Sequence, residues 1–202
     1  MNHKSVLLNE CIEGLAIKKD GIYVDGTFGR GGHSSEILKK LSHQGKLIAI
    51  DQDPSAIKVA YELQKEYPNL IVVQSDFGQL EKIIKDCGVN AVDGILLDLG
   101  VSSPQFDDSS RGFSYRFDSK LDMRMNTEQD LSAYTVVNNY SFEDLKRIFR
   151  DYGEEKFAKE IARKIEQQRV LKPIETTLEL VDVIKSALPS KVLSKKGHHD
   201  KQ

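Results

Sequence analysis

The chain has 202 residues, 39% hydrophobic and 30% charged, and its 29 basic and 31 acidic residues give a net charge of −2. This ordinary composition excludes collagen-like, low-complexity and wholly disordered chains, and the charge argues against a protein that only coats nucleic acid. With no long apolar run, no signal-peptide layout and two cysteines, the sequence predicts a cytoplasmic protein that has no membrane span, disulfide framework or metal site.

Strand and helix patterns alternate through the first half of the chain. Apolar runs predict four strands, at residues 21–25, 46–51, 69–74 and 91–97. Helices are predicted between them, and the second helix begins with Asp53 as its N-cap and Pro54 at its first position. Continuous apolar strands separated by helices are typical of a parallel sheet covered on both faces. The predicted fold class is therefore α/β, a doubly wound sheet with right-handed crossovers.

An acidic residue follows each of the four predicted strands. These residues are Asp25, Asp51, Asp76 and Asp98. Aspartate is common at turns and helix caps, which is a sufficient explanation for any one of them alone. Ligands of doubly wound sheets bind at the carboxyl ends of the strands. Four acids at that edge together predict a ligand site there.

A glycine-rich loop, Gly26–Gly32, lies between the first strand and the next helix. Glycines allow a tight turn and let a ligand approach the backbone closely. Asp51 follows Gly31 by about 20 residues, the separation at which an acid binds ribose hydroxyls in dinucleotide folds. The NAD fingerprint fails, because Ser34 stands where its third glycine would be. A nicotinamide-dependent oxidoreductase is therefore the weaker hypothesis.

S-adenosylmethionine fits the same loop better. Asp25, directly before the glycines, suits its cationic end, and Asp51 suits its ribose. Asp76 and Phe77 suit the adenine, as an acceptor for its amine and an apolar face for its ring. His33 opens the helix after the loop, so a role as a cap or ligand contact is as well supported as a catalytic one.

The segment Ser103-Pro104-Gln105-Phe106 follows the fourth strand at the ligand edge. Enzymes that methylate exocyclic amines of bases carry Asp/Asn/Ser-Pro-Pro-aromatic at this place, and here Gln replaces the second Pro. Hydrogen-bond acceptors around such an amine favour its nucleophilic pyramidal form, and an aromatic ring can stack a base turned out of its helix. The pattern predicts that Asp98, Ser103 and Pro104 line a methyl-transfer site. An ordinary Ser-Pro turn is the alternative.

Arginines and aromatics alternate in a predicted long loop at residues 105–126. Arg111, Phe113, Arg116 and Arg124 are candidate RNA contacts, because stacking and phosphate contact are how proteins bind single-stranded RNA. Aspartates are interspersed with them, so a salt-bridged loop packed on the core explains the segment equally well.

Helical patterns dominate the rest of the chain. Helices are predicted at 141–151, 154–170 and 176–188, followed by a polar loop from Ser194. The predicted division is a cofactor-binding core with a partial sheet at residues 1–105, and a loop plus α-helical substrate-recognition insertion at residues 106–202.

Several long blocks of the sequence resemble the bacterial ribosomal small subunit methyltransferase H family. One is Asp25-Gly26-Thr27-Phe28-Gly29-Arg30-Gly31-Gly32-His33; the others lie at residues 3–8, 49–54, 94–105, 111–114, 121–125 and 152–158. The resemblance implies a Rossmann-like S-adenosylmethionine-dependent methyltransferase that modifies N4 of one cytidine in the decoding region of 16S rRNA, in the small ribosomal subunit. The family's cofactor contacts would fall on Gly31, Gly32, His33, Asp51, Phe77, Asp98 and Gln105.

Members of that family are longer than this chain and return to the sheet with further strands. The resemblance therefore implies a core whose last strands are missing. A truncated homologue that binds cofactor or rRNA without turnover is the alternative to an active methyltransferase, and the oligomeric state is left open.

Overall fold

A computed structural model of the chain describes residues 5–196. Four strands form one parallel sheet in the order β3-β2-β1-β4. They are β1 (Ile22–Asp25), β2 (Lys46–Asp51), β3 (Leu70–Gln74) and β4 (Gly94–Leu96). This order begins the doubly wound arrangement, so the predicted α/β parallel sheet is confirmed.

The described residues divide into two compact units. The first covers the chain up to Gly100 together with Met125–Thr127, and the second covers Val101–Arg124 and the chain from Glu128 onward. His3 and Lys4 of the N-terminal motif, and the chain from residue 197, lie outside the described residues.

Four α-helices lie in the described part of the first unit, from residue 5 onward. They are α1 (Leu8–Gly14), α2 (Gly32–Lys40), α3 (Pro54–Glu66) and α4 (Leu80–Asp86). The predicted cap of α3 is confirmed, because Asp53 accepts a hydrogen bond from the backbone N–H of Ser55 at 2.9 Å and Pro54 opens the helix. Sequence patterns did not predict α1, a short helix that buries one side chain, Ile12.

The sheet buries apolar side chains on both faces. On β2, Leu47 and Ala49 pack into the cluster that α1, α2 and α3 cover, whereas Ile48 and Ile50 pack into the cluster that contains Ile83 of α4. Each large aliphatic side chain buried in this way contributes about 1.5–3 kcal/mol. This two-sided burial is why the strands are continuous apolar runs in the sequence.

The edge strand β4 is shorter than its apolar run predicted. The run covers residues 91–97, but only Gly94–Leu96 pair, with β1 alone. Ahead of the strand, the backbone N–H of Asp93 donates to the carbonyl of Ile22, and its carboxylate accepts from the backbone N–H of Ile22. Three residues of β4 therefore form the hydrogen-bond ladder with β1.

Six helices belong to the second unit, over the part of it that the structure describes. They are α5 (Ser103–Asp107), α6 (Ala133–Asn139), α7 (Phe142–Asp151), α8 (Ala158–Leu171), α9 (Thr177–Ala187) and α10 (Ser190–Lys196). Their buried core contains Leu121, Leu145, Ile161, Ile165 and Ile174. None of the helices in residues 5–196 has the length and apolar composition needed to cross a membrane.

Three predictions for the second unit need correction. The segment predicted as a long loop begins with α5, which includes Gln105, and a 3₁₀ turn at Ser109–Arg111. Helix α8 begins four residues later than predicted, because Glu154 adopts a left-handed backbone conformation (φ 49°). The polar loop predicted from Ser194 is instead helical as far as Lys196, where it forms the end of α10. This helix begins directly after Pro189.

Candidate functional site

The glycine loop leaves β1 and runs directly into α2. Gly29 and Gly31 have φ angles of 56° and 76°, a region that side-chain-bearing residues rarely adopt. A Cβ added to Gly31 would lie 2.7 Å from the ring of Phe28, whereas the nearest atom to one added to Gly29 is 3.8 Å away. Position 31 therefore requires glycine, because a side chain there would collide with Phe28. Beside Gly29 there is space that a ligand can occupy.

Asp25 lies beneath this loop rather than in the open site. Its buried carboxylate accepts hydrogen bonds from the Ser34 hydroxyl at 2.7 Å and the Thr27 backbone N–H at 3.2 Å. Burial raises the pKa of Asp25, and the hydrogen bonds from Ser34 and Thr27 oppose that rise. The prediction that Asp25 faces the cationic end of a cofactor is wrong, because both carboxylate oxygens hold the loop to α2.

Ser34 has a function that the sequence comparison with the NAD fingerprint did not reveal. The position that fails as a third glycine carries a buried hydroxyl that donates to Asp25. A glycine at this position would leave the Asp25 carboxylate with one hydrogen-bond donor fewer. The sequence signal that could have predicted this contact is the serine nine residues after the aspartate that ends β1.

Asp51 connects the end of β2 to the glycine loop. One carboxylate oxygen accepts the backbone N–H of Gly29 at 2.7 Å, and the other accepts that of Asp53 at 2.9 Å. Burial raises the pKa of Asp51, and these two backbone hydrogen bonds lower it. A carboxylate oxygen has more than one acceptor site, so the half-buried group can still accept hydrogen bonds from ribose hydroxyls.

The ends of β3 and β4 bring Phe77 and Asp98 to the same edge of the sheet. The Phe77 side chain is 41% exposed and borders Gly26, whose added Cβ would lie 3.4 Å from the Phe77 Cβ. Asp76 caps the turn that contains Phe77 by accepting the Gly78 N–H at 2.8 Å. An apolar ring is thus held beside the first glycine of the loop.

Thr27 positions Asp98. Its hydroxyl accepts the Asp98 backbone N–H at 2.7 Å, which fastens the chain after β4 to the glycine loop. The Asp98 carboxylate is exposed and accepts no hydrogen bond from the residues that the structure describes. Sequence reasoning did not single out Thr27, since a hydroxyl within a glycine loop has no distinctive spacing.

The imidazole of His33 packs against the segment ahead of α1. It is buried, and its Nε2 lies 3.0 Å from the carbonyl oxygen of Val6. Its backbone N–H and that of Gly32 belong to the first turn of α2, where a helix has no internal acceptors. A ligand could therefore accept hydrogen bonds from the backbone N–H groups of Gly32 and His33, whereas the His33 imidazole is buried.

The first unit therefore brings six of the predicted cofactor contacts to the carboxyl edge of its sheet, His33 through its backbone N–H alone. They are Gly31, Gly32, His33, Asp51, Phe77 and Asp98. Ser103, Pro104 and Gln105 belong to the second unit, on α5. There the buried Gln105 side chain accepts the backbone N–H of Ser102 at 2.9 Å through its Oε1, and Pro104 lies in the first turn. These contacts favour the alternative of a Ser-Pro turn for this segment, here the first turn of α5.

The candidate RNA-contacting residues fall into two groups. Arg124 pairs with both carboxylate oxygens of Asp122, at 2.9 and 2.8 Å, and this pairing lowers the pKa of Asp122. Arg111 donates to the Arg124 carbonyl at 2.9 Å, and its guanidinium lies 5.9 Å from the centre of the Phe113 ring. This arrangement favours the salt-bridged alternative for Arg111, Phe113 and Arg124.

Arg116 differs from that group. Its side chain is exposed and forms no ion pair with any residue in the described part of the chain. Of the three candidate arginines, it is the one whose guanidinium forms no contact with the loop among the described residues.

The chain is similar to known proteins over its whole sequence. The chain matches the MraW methylase family over residues 1–202. A protein named ribosomal RNA small subunit methyltransferase H, from Clostridium botulinum (strain Loch Maree / Type A3), is 57% identical over 99% of this chain and 64% of its own length. A protein of the same name from Ureaplasma urealyticum serovar 10 is 56% identical, over 97% of this chain and 64% of its own length. The chain thus spans 64% of the length of these curated relatives.

Proposed function

Since the chain belongs to the MraW methylase family, we propose that it takes part in methyl transfer from S-adenosylmethionine to N4 of a cytidine in the decoding region of 16S rRNA. The relatives' names support rRNA of the small subunit as the substrate. An exocyclic amine as the acceptor is supported by the sequence pattern Ser103-Pro104-Gln105-Phe106 alone, since in the structure these residues form the start of α5. In this proposal residues 1–105 hold the cofactor, residues 106–202 contact the RNA, and the protein works in the cytoplasm.

The observation that carries the proposal is the contact between Asp51 and the glycine loop. The 2.7 Å hydrogen bond to Gly29 holds the Asp51 carboxylate, our proposed acceptor for ribose hydroxyls, beside a loop with open space next to Gly29. The N–H groups of Gly32 and His33 can bind the carboxylate of the cofactor's amino acid part, as helix N-termini bind anions. Phe77 provides an exposed ring for the adenine. The residues present thus fit S-adenosylmethionine.

When bound, the cofactor would supply an electrophilic methyl group on a positively charged sulfur, the leaving group that would keep the S–C electron pair once N4 is bonded to the methyl carbon. In our proposal the Asp98 carboxylate accepts a hydrogen bond from the N4 amine and takes the proton that the amine loses. An acceptor here counters delocalisation of the amine's electron pair into the ring. The rest of the rate enhancement would come from holding the amine in line with the methyl group. Such positioning can lower an activation barrier by about 7–11 kcal/mol.

The proposal is tested in two stages. Thermal melts of the chain are measured alone, with S-adenosylhomocysteine and with NAD, because a ligand that binds the native state raises the melting temperature. We expect a rise with S-adenosylhomocysteine only. A rise with NAD instead would favour the nicotinamide-dependent hypothesis.

In the second stage the chain is incubated with methyl-labelled S-adenosylmethionine and small ribosomal subunits that lack the modification. Nucleoside analysis of the 16S rRNA should show N4-methylcytidine. Binding of S-adenosylhomocysteine without any labelled nucleoside would instead favour the alternative of a homologue that binds without turnover.

A further inference from the structure

We infer that an exposed aromatic turn of the second unit stacks unpaired bases of a single-stranded RNA segment, an inference that rests on the proposed function. The aromatic turn is defined as Tyr115, Arg116 and Phe117. The side chain of Tyr115 is 75% exposed and that of Phe117 is 53% exposed. Two large rings are therefore exposed within three consecutive residues, on either side of an arginine.

The backbone of the aromatic turn is anchored although its rings are exposed. The Phe117 carbonyl accepts a hydrogen bond from the Thr177 hydroxyl at 2.8 Å, and the Ser119 carbonyl accepts the Thr177 N–H at 2.8 Å. The N–H of Leu121, whose side chain is buried, donates to the Glu175 carbonyl at 3.0 Å. A ligand that binds here pays little for ordering the loop, which is the advantage of preorganisation.

The other side of the turn is fixed by Gly112. It adopts a φ angle of 69°, and a Cβ at this position would collide with the Lys120 carbonyl oxygen. The chain therefore folds back tightly behind the aromatic turn. The exposed rings are presented by a closed and hydrogen-bonded backbone.

The charges around the aromatic turn favour a polyanion. Asp118 accepts the Leu178 N–H at the start of α9, and Asp122 is paired with Arg124. Arg116 and Lys120 are exposed, and their side chains form no ion pair within the described residues. Asp122 is thus neutralised by Arg124, whereas Asp118 remains an exposed carboxylate, so the two cations Arg116 and Lys120 leave a net positive charge around the aromatic turn.

This combination fits single-stranded RNA better than a duplex. Bases in a duplex are stacked on each other, so their faces are closed to protein side chains. Unpaired bases stack on aromatic side chains, while cations contact the phosphates between them. Rings on either side of an unpaired arginine offer both contacts within one turn.

The test compares RNA binding by the whole chain and its variants at fixed salt. Fluorescence anisotropy measures the Kd for a short labelled single-stranded RNA and for a duplex that contains the same strand. We expect Tyr115→Ala and Phe117→Ala each to weaken single-strand binding about 5- to 100-fold and to change duplex binding much less. Arg116→Ala should reduce the slope of log Kd against log salt by about 0.7, the value for one lost phosphate contact with a single strand.

Tyr152→Ala is the matched control, because Tyr152 is a 79% exposed tyrosine in the same unit. Its substitution should leave RNA binding unchanged. The inference is overturned if the wild-type chain does not bind single-stranded RNA, if the three variants bind as tightly as the wild type, or if Tyr152→Ala has an equal effect. Sedimentation showing self-association that Tyr115→Ala and Phe117→Ala abolish would also overturn it, in favour of a second copy as the partner.

A separate measurement distinguishes this failure from a failure of the proposed function. Binding of S-adenosylhomocysteine depends on the first unit, so each variant in the aromatic turn should retain it. Intact cofactor binding with unchanged RNA binding in Tyr115→Ala and Phe117→Ala contradicts this inference alone. Absence of cofactor binding in the wild type contradicts the proposed function.

Discussion

The carboxylate of Asp51 accepts a hydrogen bond from the backbone N–H of Gly29, a residue 22 positions earlier in the chain, at 2.7 Å. The bond joins the end of β2 to the loop that follows β1. The same side chain that we propose as the ribose acceptor therefore also holds the loop on which the rest of the cofactor would lie.

Replacement of Asp51 tests this double function. We expect Asp51→Ala to reduce the affinity for S-adenosylhomocysteine about 10- to 100-fold, since hydrogen bonds to a charged group contribute about 1.5–3 kcal/mol. The melting temperature without ligand should also fall. Isothermal titration calorimetry and thermal melts measure the two effects. Glu62→Ala, which removes an exposed acid on α3, is the control; equal affinities for both variants would refute the assignment.

Substitutions at Gly31 and Gly29 distinguish a loss of stability caused by a steric clash from a loss of cofactor binding caused by a filled space. Gly31→Ala should cost about 1–3 kcal/mol more unfolding free energy than Gly88→Ala, because both glycines have positive φ but only Gly31 has a ring where the Cβ would stand. Gly29→Ala should match Gly88→Ala in urea denaturation but bind S-adenosylhomocysteine more weakly. Unimpaired binding by Gly29→Ala would show that the space beside Gly29 is not used.

Burial of Asp25 predicts a specific pH dependence. Its pKa in the folded chain is raised above the ordinary value of 3.8, so the contribution of Asp25 to stability is complete below that pH and declines as the pH rises through the folded value. The stability of the wild type relative to Asp25→Asn should therefore decrease from about pH 4 upward. Urea denaturation of both proteins at several pH values measures this difference. A difference that increases with pH would contradict the burial of the charged group.

Asp98 is expected to matter for the reaction and not for the fold. Its carboxylate accepts no hydrogen bond from the described residues, and its contact with Thr27 uses the backbone N–H. Asp98→Asn should retain the melting temperature of the wild type and reduce labelled methyl transfer about 10²- to 10⁴-fold, the usual effect of losing a general base. Initial rates with small ribosomal subunits measure the loss. A rate like that of the wild type would remove Asp98 from the proposed chemistry.

Arg124 distinguishes the two interpretations of the arginine-rich loop. If its pairing with Asp122 is structural, Arg124→Lys should lower the melting temperature slightly, because lysine cannot form the two parallel bonds and solvent screens the partly exposed pair. The affinity for single-stranded RNA should not change. Weaker RNA binding with unchanged stability would instead favour Arg124 as an RNA contact.

Local patterns in the sequence were sufficient for much of the fold. Strand β2 has the bounds that its apolar run predicted, and Asp53, Ser141 and Thr176 cap the helices predicted after them. These features depend on residues within one turn or one strand, so their causes are visible in consecutive positions. The blocks that indicated the family are likewise contiguous, and the match over residues 1–202 confirms the resemblance.

The partners of the candidate site residues were decided by the tertiary structure. Asp25 and His33 both read as ligand contacts in the sequence, yet the first is held by Ser34 and Thr27, and the imidazole of the second lies against Val6. The sequence placed the acids at the ends of strands. Which carboxylate is buried and which is open depends on how the strands and α2 pack together, because a buried charge must find hydrogen-bond donors wherever the fold brings them.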